Sequence, residues 1–281
     1  MSNPQSQQNK VSPRECFHRN GSSALPTRLS KPFICSASKT ASSASPGIAC
    51  VLPRRAATSR GLRPFTSANL GKILDLRPDL VLSFSDLQAD IVAALIRQGV
   101  AVHAFNQRTI AEIFDMIRVL GALVGAADRA DRLADELEAG VVAARRRAIA
   151  RAARPLVYFE EWDEPMISGI AWVSELIEIA GGIDIFADRS AGKSAKERIV
   201  TAEDIIARRP DIIIGSWCGK KFRPEKLATR PGFEQIPAVR NRALYEIKSP
   251  IILQPGPAAL TDGLKALQAI IERAGQAITA A

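Results

Sequence analysis

The sequence predicts an α/β protein of two lobes with a ligand cleft between them, joined by one long helix. Three observations carry that expectation. A phrase occurs twice: residues 73–86 read ILDLRPDLVLSFSD and residues 205–218 read IIARRPDIIIGSWC, so Arg77-Pro78-Asp79 and Arg209-Pro210-Asp211 stand 132 positions apart. Helix-like and strand-like patterns alternate from about Asn69 to the C-terminus. Between the two copies runs one amphipathic stretch, residues 127–153, in which Leu133, Leu137, Val141 and Ala144 form a stripe at three- and four-residue spacing. A repeat this long exceeds any solenoid unit, so it means two lobes of similar build.

The elements follow in order. Asn69 caps a helix running to Leu76, because its side chain can accept from an orphan amide of the first turn. Proline disfavours helix at the residue before it, so Pro78 ends that helix and residues 79–84 read as a buried strand. DLQADIVAALIRQ is an amphipathic helix stopped by Gly99, and VAVHAF (100–105) is the next strand, completing a βαβ unit. Thr109 caps a helix to about Val124, and after Gly125 comes the long helix, roughly 40 Å at 1.5 Å per residue and so able to cross from lobe to lobe. PLVYF (155–159) opens the second lobe, EEWDEPMISG reads as a loop, and a helix from about Ile170 to Ala180 ends at Gly181-Gly182. Thr201-Ala-Glu-Asp204 resembles a capping box and starts the helix that delivers the second RPD strand. Tyr245 to Ile247 is a short strand, and Gly256-Pro257 precedes a C-terminal helix to about Ala277. In open α/β sheets ligands bind beyond the carboxyl ends of the strands, which here means Ser83 and Ser85 in one copy and Gly215 and Ser216 in the other.

Charge divides the chain unevenly. Residues 1–68 hold ten of the 38 Lys and Arg and one of the 29 Asp and Glu, so the net +9 resides there and the other 213 residues balance at 28 of each sign. That distribution argues against a nucleic-acid surface on the folded part, which carries no basic excess. The same segment holds 17 Ser and Thr, seven of 17 prolines and three of four cysteines (Cys16, Cys35, Cys50). Low apolar content predicts a disordered tail. Its longest apolar run, residues 47–52, is shorter than a secretory core, and no run reaches the roughly 18 residues of a membrane span.

Enzyme motifs are absent: no G-x-G-x-x-G after a strand, no P-loop and no G-x-S-x-G. His103, the one histidine beyond the tail, sits in an apolar strand and has no second histidine to build a zinc triad with. No catalytic residue, metal site or cofactor is expected.

The stretches FEEWDEPMISG, SELIEIAGG, RRPDIIIGSWCGKKF, RPGFEQIPAVRNRALYEI and LQPGPAALTDGL, with FSDLQADIVAALIRQGVAV in the first half, resemble the solute-binding proteins of ABC importers. The resemblance is to the iron-siderophore and cobalamin class joined by one long helix, and within it to the cobalamin-binding branch. It covers about Asn69 to the C-terminus. It implies two Rossmann-like lobes: 69–126 as N-terminal lobe, 127–153 as linking helix and 154–281 as C-terminal lobe. Members of the class begin with strands that the tail does not legibly contain, so the first lobe is expected to be incomplete. The implied partners are a small-molecule ligand, an ABC permease and its ATPase, with membrane contact only through the permease and a periplasmic or cell-surface location.

A binding site of this kind needs flat apolar surfaces and a few orienting polar groups. Trp162 and Trp217 each follow a strand's carboxyl end and are expected to face the cleft, with Met166 as an adaptable contact. Ser85 and Gln254 are placed to hydrogen-bond a corrinoid's amide rim, and Glu160 and Glu161 add charge near the mouth. Cys218 reads as a small buried residue and Trp172 as core. The family's docking carboxylate on the second lobe is expected at Glu175. Alternatives remain: a ferric siderophore or haem held by arginines such as Arg223 and Arg230, or a truncated or cytosolic α/β relative.

Overall fold

A computed structural model describes residues 49–51, 56–57, 69–149, 151 and 153–279. The tail expected over residues 1–68 lies outside these, apart from two short strands, β1 (Ala49–Val51) and β2 (Ala56–Ala57). The first lobe continues with α1 (Leu70–Asp75), β3 (Leu80–Phe84), α2 (Ala89–Arg97) and β4 (Val102–Phe105). β3 and β4 are parallel, Val81 facing Val102 and Phe84 facing Phe105, and β1 joins β3 antiparallel to give the order β2-β1-β3-β4. Among the described residues this lobe's core is the small cluster Ile73, Val81, Ile91 and Leu95.

α3 (Ile110–Leu123) and α4 (Ala127–Ile149) follow as a helical hairpin. Thr109 and Glu112 form a reciprocal capping box at the start of α3. The two helices approach so closely that a Cβ on Gly121 would stand 2.2 Å from the Ala130 Cβ. α4 has 23 residues, about 35 Å of helix.

The second lobe contains β5 (Leu156–Asp163), β6 (Met166–Ser168), α5 (Ala171–Ala180), β7 (Ile183–Asp184), α6 (Ala187–Ser190), α7 (Ala202–Arg208) and β8 (Ile212–Gly215). It ends with α8 (Pro224–Ala228), α9 (Pro237–Arg240), β9 (Leu244–Glu246), α10 (Ser249–Ile252) and, after one π turn, α11 (Leu264–Thr279). Its sheet runs β6-β5-β8-β9, with β7 beside the start of β5. Strands β5, β7, β8 and β9 are parallel and β6 is antiparallel to β5. Period-two alternation sorts the side chains. Val157, Phe159, Ile212 and Ile214 enter one apolar layer and Tyr158 and Ile213 the other. Burying apolar area on both faces, at about 25 cal/mol per Å², is the main stabilising term.

α3 and α4 bury Ile113, Ile117, Leu137 and Val141 in the same layer as α5, β5 and α11. The helical hairpin therefore packs as an extension of the second lobe's core.

Two local findings differ from expectation. Arg77 and Arg209 both adopt left-handed conformation, φ 46° and 49°, whereas a residue before proline is normally extended. Each helix ends in a left-handed residue whose amide still bonds back into the last turn, Arg77 N to Leu74 O at 2.9 Å and Arg209 N to Ile205 O at 3.2 Å. The segment EEWDEPMISG, expected as a loop, is mostly hairpin: β5 runs on to Asp163 and β6 pairs back, Trp162 with Ile167 and Asp163 with Met166. Its polar residues fit a strand because each carboxylate of β5 finds a cationic partner.

Candidate functional site

The carboxyl ends of β5 and β8 carry a layer of buried charge. Glu160 is fully buried. Its Oε1 accepts from Trp217 Nε1 at 2.9 Å and Arg230 Nη2 at 3.0 Å, and its Oε2 accepts from Tyr158 OH at 3.1 Å and from Arg230 Nη1. Burial, and after it the charge of Glu160, pushes the Tyr158 phenol well above its ordinary range, so it remains a donor. Four donors on two oxygens are what a carboxylate taken out of water requires.

Glu161 forms a two-point pair with Arg198, 2.6 and 3.2 Å, and Arg198 is itself buried and also donates to the Ser168 carbonyl. Asp163, its side chain 1% exposed, accepts from Lys220 at 2.6 Å and Lys226 at 3.0 Å. Burial acts to raise the Asp163 carboxyl pKa, but the two lysines outweigh it and hold the group below its usual range. All three carboxylates of β5 are thus neutralised by residues of the same lobe.

Trp162 is half-buried, donates Nε1 to Glu164 O at 2.8 Å, and has the Lys220 ammonium 4.1 Å above its ring centroid. Met166 on β6 is half-buried against the layer that holds Trp217. Cys218 is exposed, not buried as expected, because the chain turns outward at Gly219 (φ 74°). Partial desolvation of its sulfur, then the Glu161 charge, raises the Cys218 thiol pKa, although the residue as a whole is exposed.

Trp217 is 4% exposed, stacked edge-on against Phe222 at 5.1 Å, and its N–H is spent on Glu160. Phe222 in turn lies across Gly215, where a Cβ would come within 2.0 Å of the ring. Trp217 is therefore packed beneath the strand ends, with little surface exposed. Arg230, weighed above as a partner for an anionic ligand, is committed to Glu160, while Arg223 is exposed.

In the first lobe, Ser85 follows β3 with positive φ, 72°, and an extended ψ of 158°. Its hydroxyl donates to Asp86 Oδ1 at 2.9 Å and accepts from Leu87 N at 3.2 Å, capping a short helical turn. Gln254 is half-buried beside Pro255, whose carbonyl accepts from Gln107 Nε2 of the first lobe at 3.0 Å. Glu175 is half-buried, and its Oε2 accepts from Ile110 N at the start of α3 at 2.9 Å, so its carboxylate is engaged within the protein. Burial, then repulsion from Glu112, raises its pKa.

Trp162, Glu161, Met166 and Trp217 thus gather around the ends of β5 and β8, while Ser85 and Gln254 lie apart from them on the first lobe and the second-lobe C-terminal loop. Arg198, Lys220, Lys226 and Gln107 are contributors that sequence reasoning missed. The available signal was three carboxylates in four residues, Glu160, Glu161 and Asp163, which demand cations once they are placed in a strand.

A sequence profile of the family described as Periplasmic binding protein matches residues 50–251. A Bacillus subtilis protein, the "Uncharacterized ABC transporter substrate-binding lipoprotein YvrC", is 24% identical over 210 residues, 72% of this chain and 64% of its own length. The "Vitamin B12-binding protein" of Vibrio cholerae is 24% identical over 196 residues, 68% of each chain. Among solved structures, the periplasmic heme-binding protein RhuT from Roseiflexus sp. RS-1 superposes with a TM-score of 0.61 at 25% identity, covering 73% of this chain and 81% of that one. The chain belongs to the periplasmic binding protein family, and its α/β fold is the two-lobed one of these proteins. The profile begins at Cys50, within β1, upstream of the residues that carry the resemblance in the sequence.

Proposed function

We propose that this protein is the solute-binding component of an ABC importer and that it takes a corrinoid, cobalamin or a close relative, between its lobes. It would then deliver that ligand to a permease driven by an ATPase, outside the cytoplasmic membrane. The observation that carries the ligand class is the internal neutralisation of the second lobe. Glu160, Glu161, Asp163 and Glu164 are paired with Arg230, Arg198, Lys220 and Lys226, four charges of each sign, so the charge at the strand ends is spent. A largely neutral, amide-rimmed ligand suits such a surface better than a polyanionic chelate. Similarity to vitamin B12-binding proteins supports the same reading.

The site residues proposed are Trp162 and Met166 as apolar contacts, with Ser85, Gln254 and Glu161 at the polar edge. A second reading, haem or a ferric siderophore, is favoured by exposed Lys221 and Arg223 on the loop after β8 and by the likeness to RhuT.

The test is tryptophan fluorescence of the purified protein during titration with cyanocobalamin. Saturable quenching is expected, and Trp162→Ala should weaken affinity by about 1 to 3 kcal/mol, the usual cost of an aromatic anchor. Unaltered affinity in Trp162→Ala would remove that residue from the site. Binding of hemin or a ferric siderophore in place of cyanocobalamin would select the second reading.

A further inference from the structure

Helix α3 starts with the Thr109–Glu112 capping box, which serves the amides of Arg108, Thr109 and Glu112: Glu112 Oε2 accepts from the first two and Thr109 Oγ1 from the third. The amide of Ile110 is served from outside its own helix, by Glu175 Oε2 on α5 at 2.9 Å. Helix α5 has the complementary deficit. Its N-cap is Ile170, which has no side-chain acceptor to offer, and the amide of Trp172 donates instead to Arg108 O at 2.9 Å. Two helix N-termini therefore cap each other, each satisfying an orphan donor of the other. A third bond, Gln107 Nε2 to Pro255 O at 3.0 Å, lies on the same seam.

All three bonds converge on residues 107–110, the segment that leaves the carboxyl end of β4. That end is the first lobe's side of the site. We propose that Glu175 is a positioning residue for ligand binding: by holding the Ile110 amide it fixes the 106–110 segment, and with it the first-lobe wall, against the second lobe. The role of Glu175 in ligand affinity rests on the corrinoid reading above; the seam itself does not.

The test is amide hydrogen exchange of the ligand-free full chain, followed by cyanocobalamin titration, for the parent, Glu175→Ala and Glu175→Gln. In Glu175→Ala, peptides covering 105–113 and 170–176 should exchange faster while the β8 peptide stays protected, and affinity should fall about tenfold, as for a lost hydrogen bond to a charged group. Glu175→Gln keeps an acceptor and should restore both. Unchanged exchange at 105–113 in Glu175→Ala overturns the seam. Faster exchange with unchanged affinity overturns the positioning role. Loss of protection in β8 would mean global loosening, and Glu175→Gln then decides, since failure to restore either readout rejects the proposal. A parent that ignores cyanocobalamin sinks the corrinoid reading and removes the positioning role with it, while the exchange data still judge the seam.

Discussion

Replacing Arg230 by alanine perturbs the second lobe most informatively. Arg230 is 15% exposed and supplies two of the four donors that hold the fully buried Glu160. Without it the carboxylate keeps only Tyr158 OH and Trp217 Nε1, two neutral donors, with no counter-charge in contact. Removing one partner of a buried ion pair costs about 3 to 5 kcal/mol, because the other charge stays buried and uncompensated. For a folded body of this size each kcal/mol lowers Tm by about 2 to 4 °C, so the drop should be about 6 to 20 °C. Thermal unfolding measures the Tm shift and urea unfolding the free-energy loss, both followed by tryptophan emission, and Trp217 reports locally because its indole bonds the same carboxylate. Replacing both residues by apolar ones of similar size, Glu160→Leu with Arg230→Met, should recover most of the loss. Arg230→Ala within about 0.5 kcal/mol of the parent, the range of ordinary surface changes, would refute the reasoning.

Gly215→Ala should cost about 1 to 3 kcal/mol as an overpacked site, since its Cβ would meet the Phe222 ring at 2.0 Å; the companion Phe222→Ala should relieve the strain, and additive losses would contradict it. Two carboxylates should give opposite pH dependences. Glu175, whose folded pKa is raised above its ordinary 4.5, favours the protonated native state. Its contribution is therefore complete below that value and lost as pH rises through the folded pKa, so the parent should weaken relative to Glu175→Gln on going from pH 4 toward neutrality. Asp163, whose folded pKa is lowered, contributes above its ordinary 3.8 and loses that contribution as pH falls through the folded value. The gap between the parent and Asp163→Asn should therefore close in acid; denaturation curves at several pH values test both signs.

Local signals in the sequence located most of the elements. Asn69, Thr109 and Thr201 cap the helices that their side chains suggest, each accepting from an amide three residues on. Gly181 ends α5 in left-handed conformation, as a glycine after a helix should. The β5–β6 hairpin was not legible because what makes EEWDE a strand lies elsewhere. Arg198 is 37 residues and Arg230 is 70 residues from the carboxylates they neutralise. The burial of Trp217 was not legible for the same reason: the carboxylate that takes its N–H lies 57 residues away. The bond of Glu175 to α3 was not legible because the amide it accepts from lies 65 residues away.

Calorimetric titration of the purified protein with cyanocobalamin, and in parallel with hemin, tests the central claim most directly. A saturable heat with cyanocobalamin at one ligand per chain, and none with hemin, is the expected result. Tight hemin binding with no heat from cyanocobalamin would contradict the corrinoid assignment and the inference from internal neutralisation that supports it.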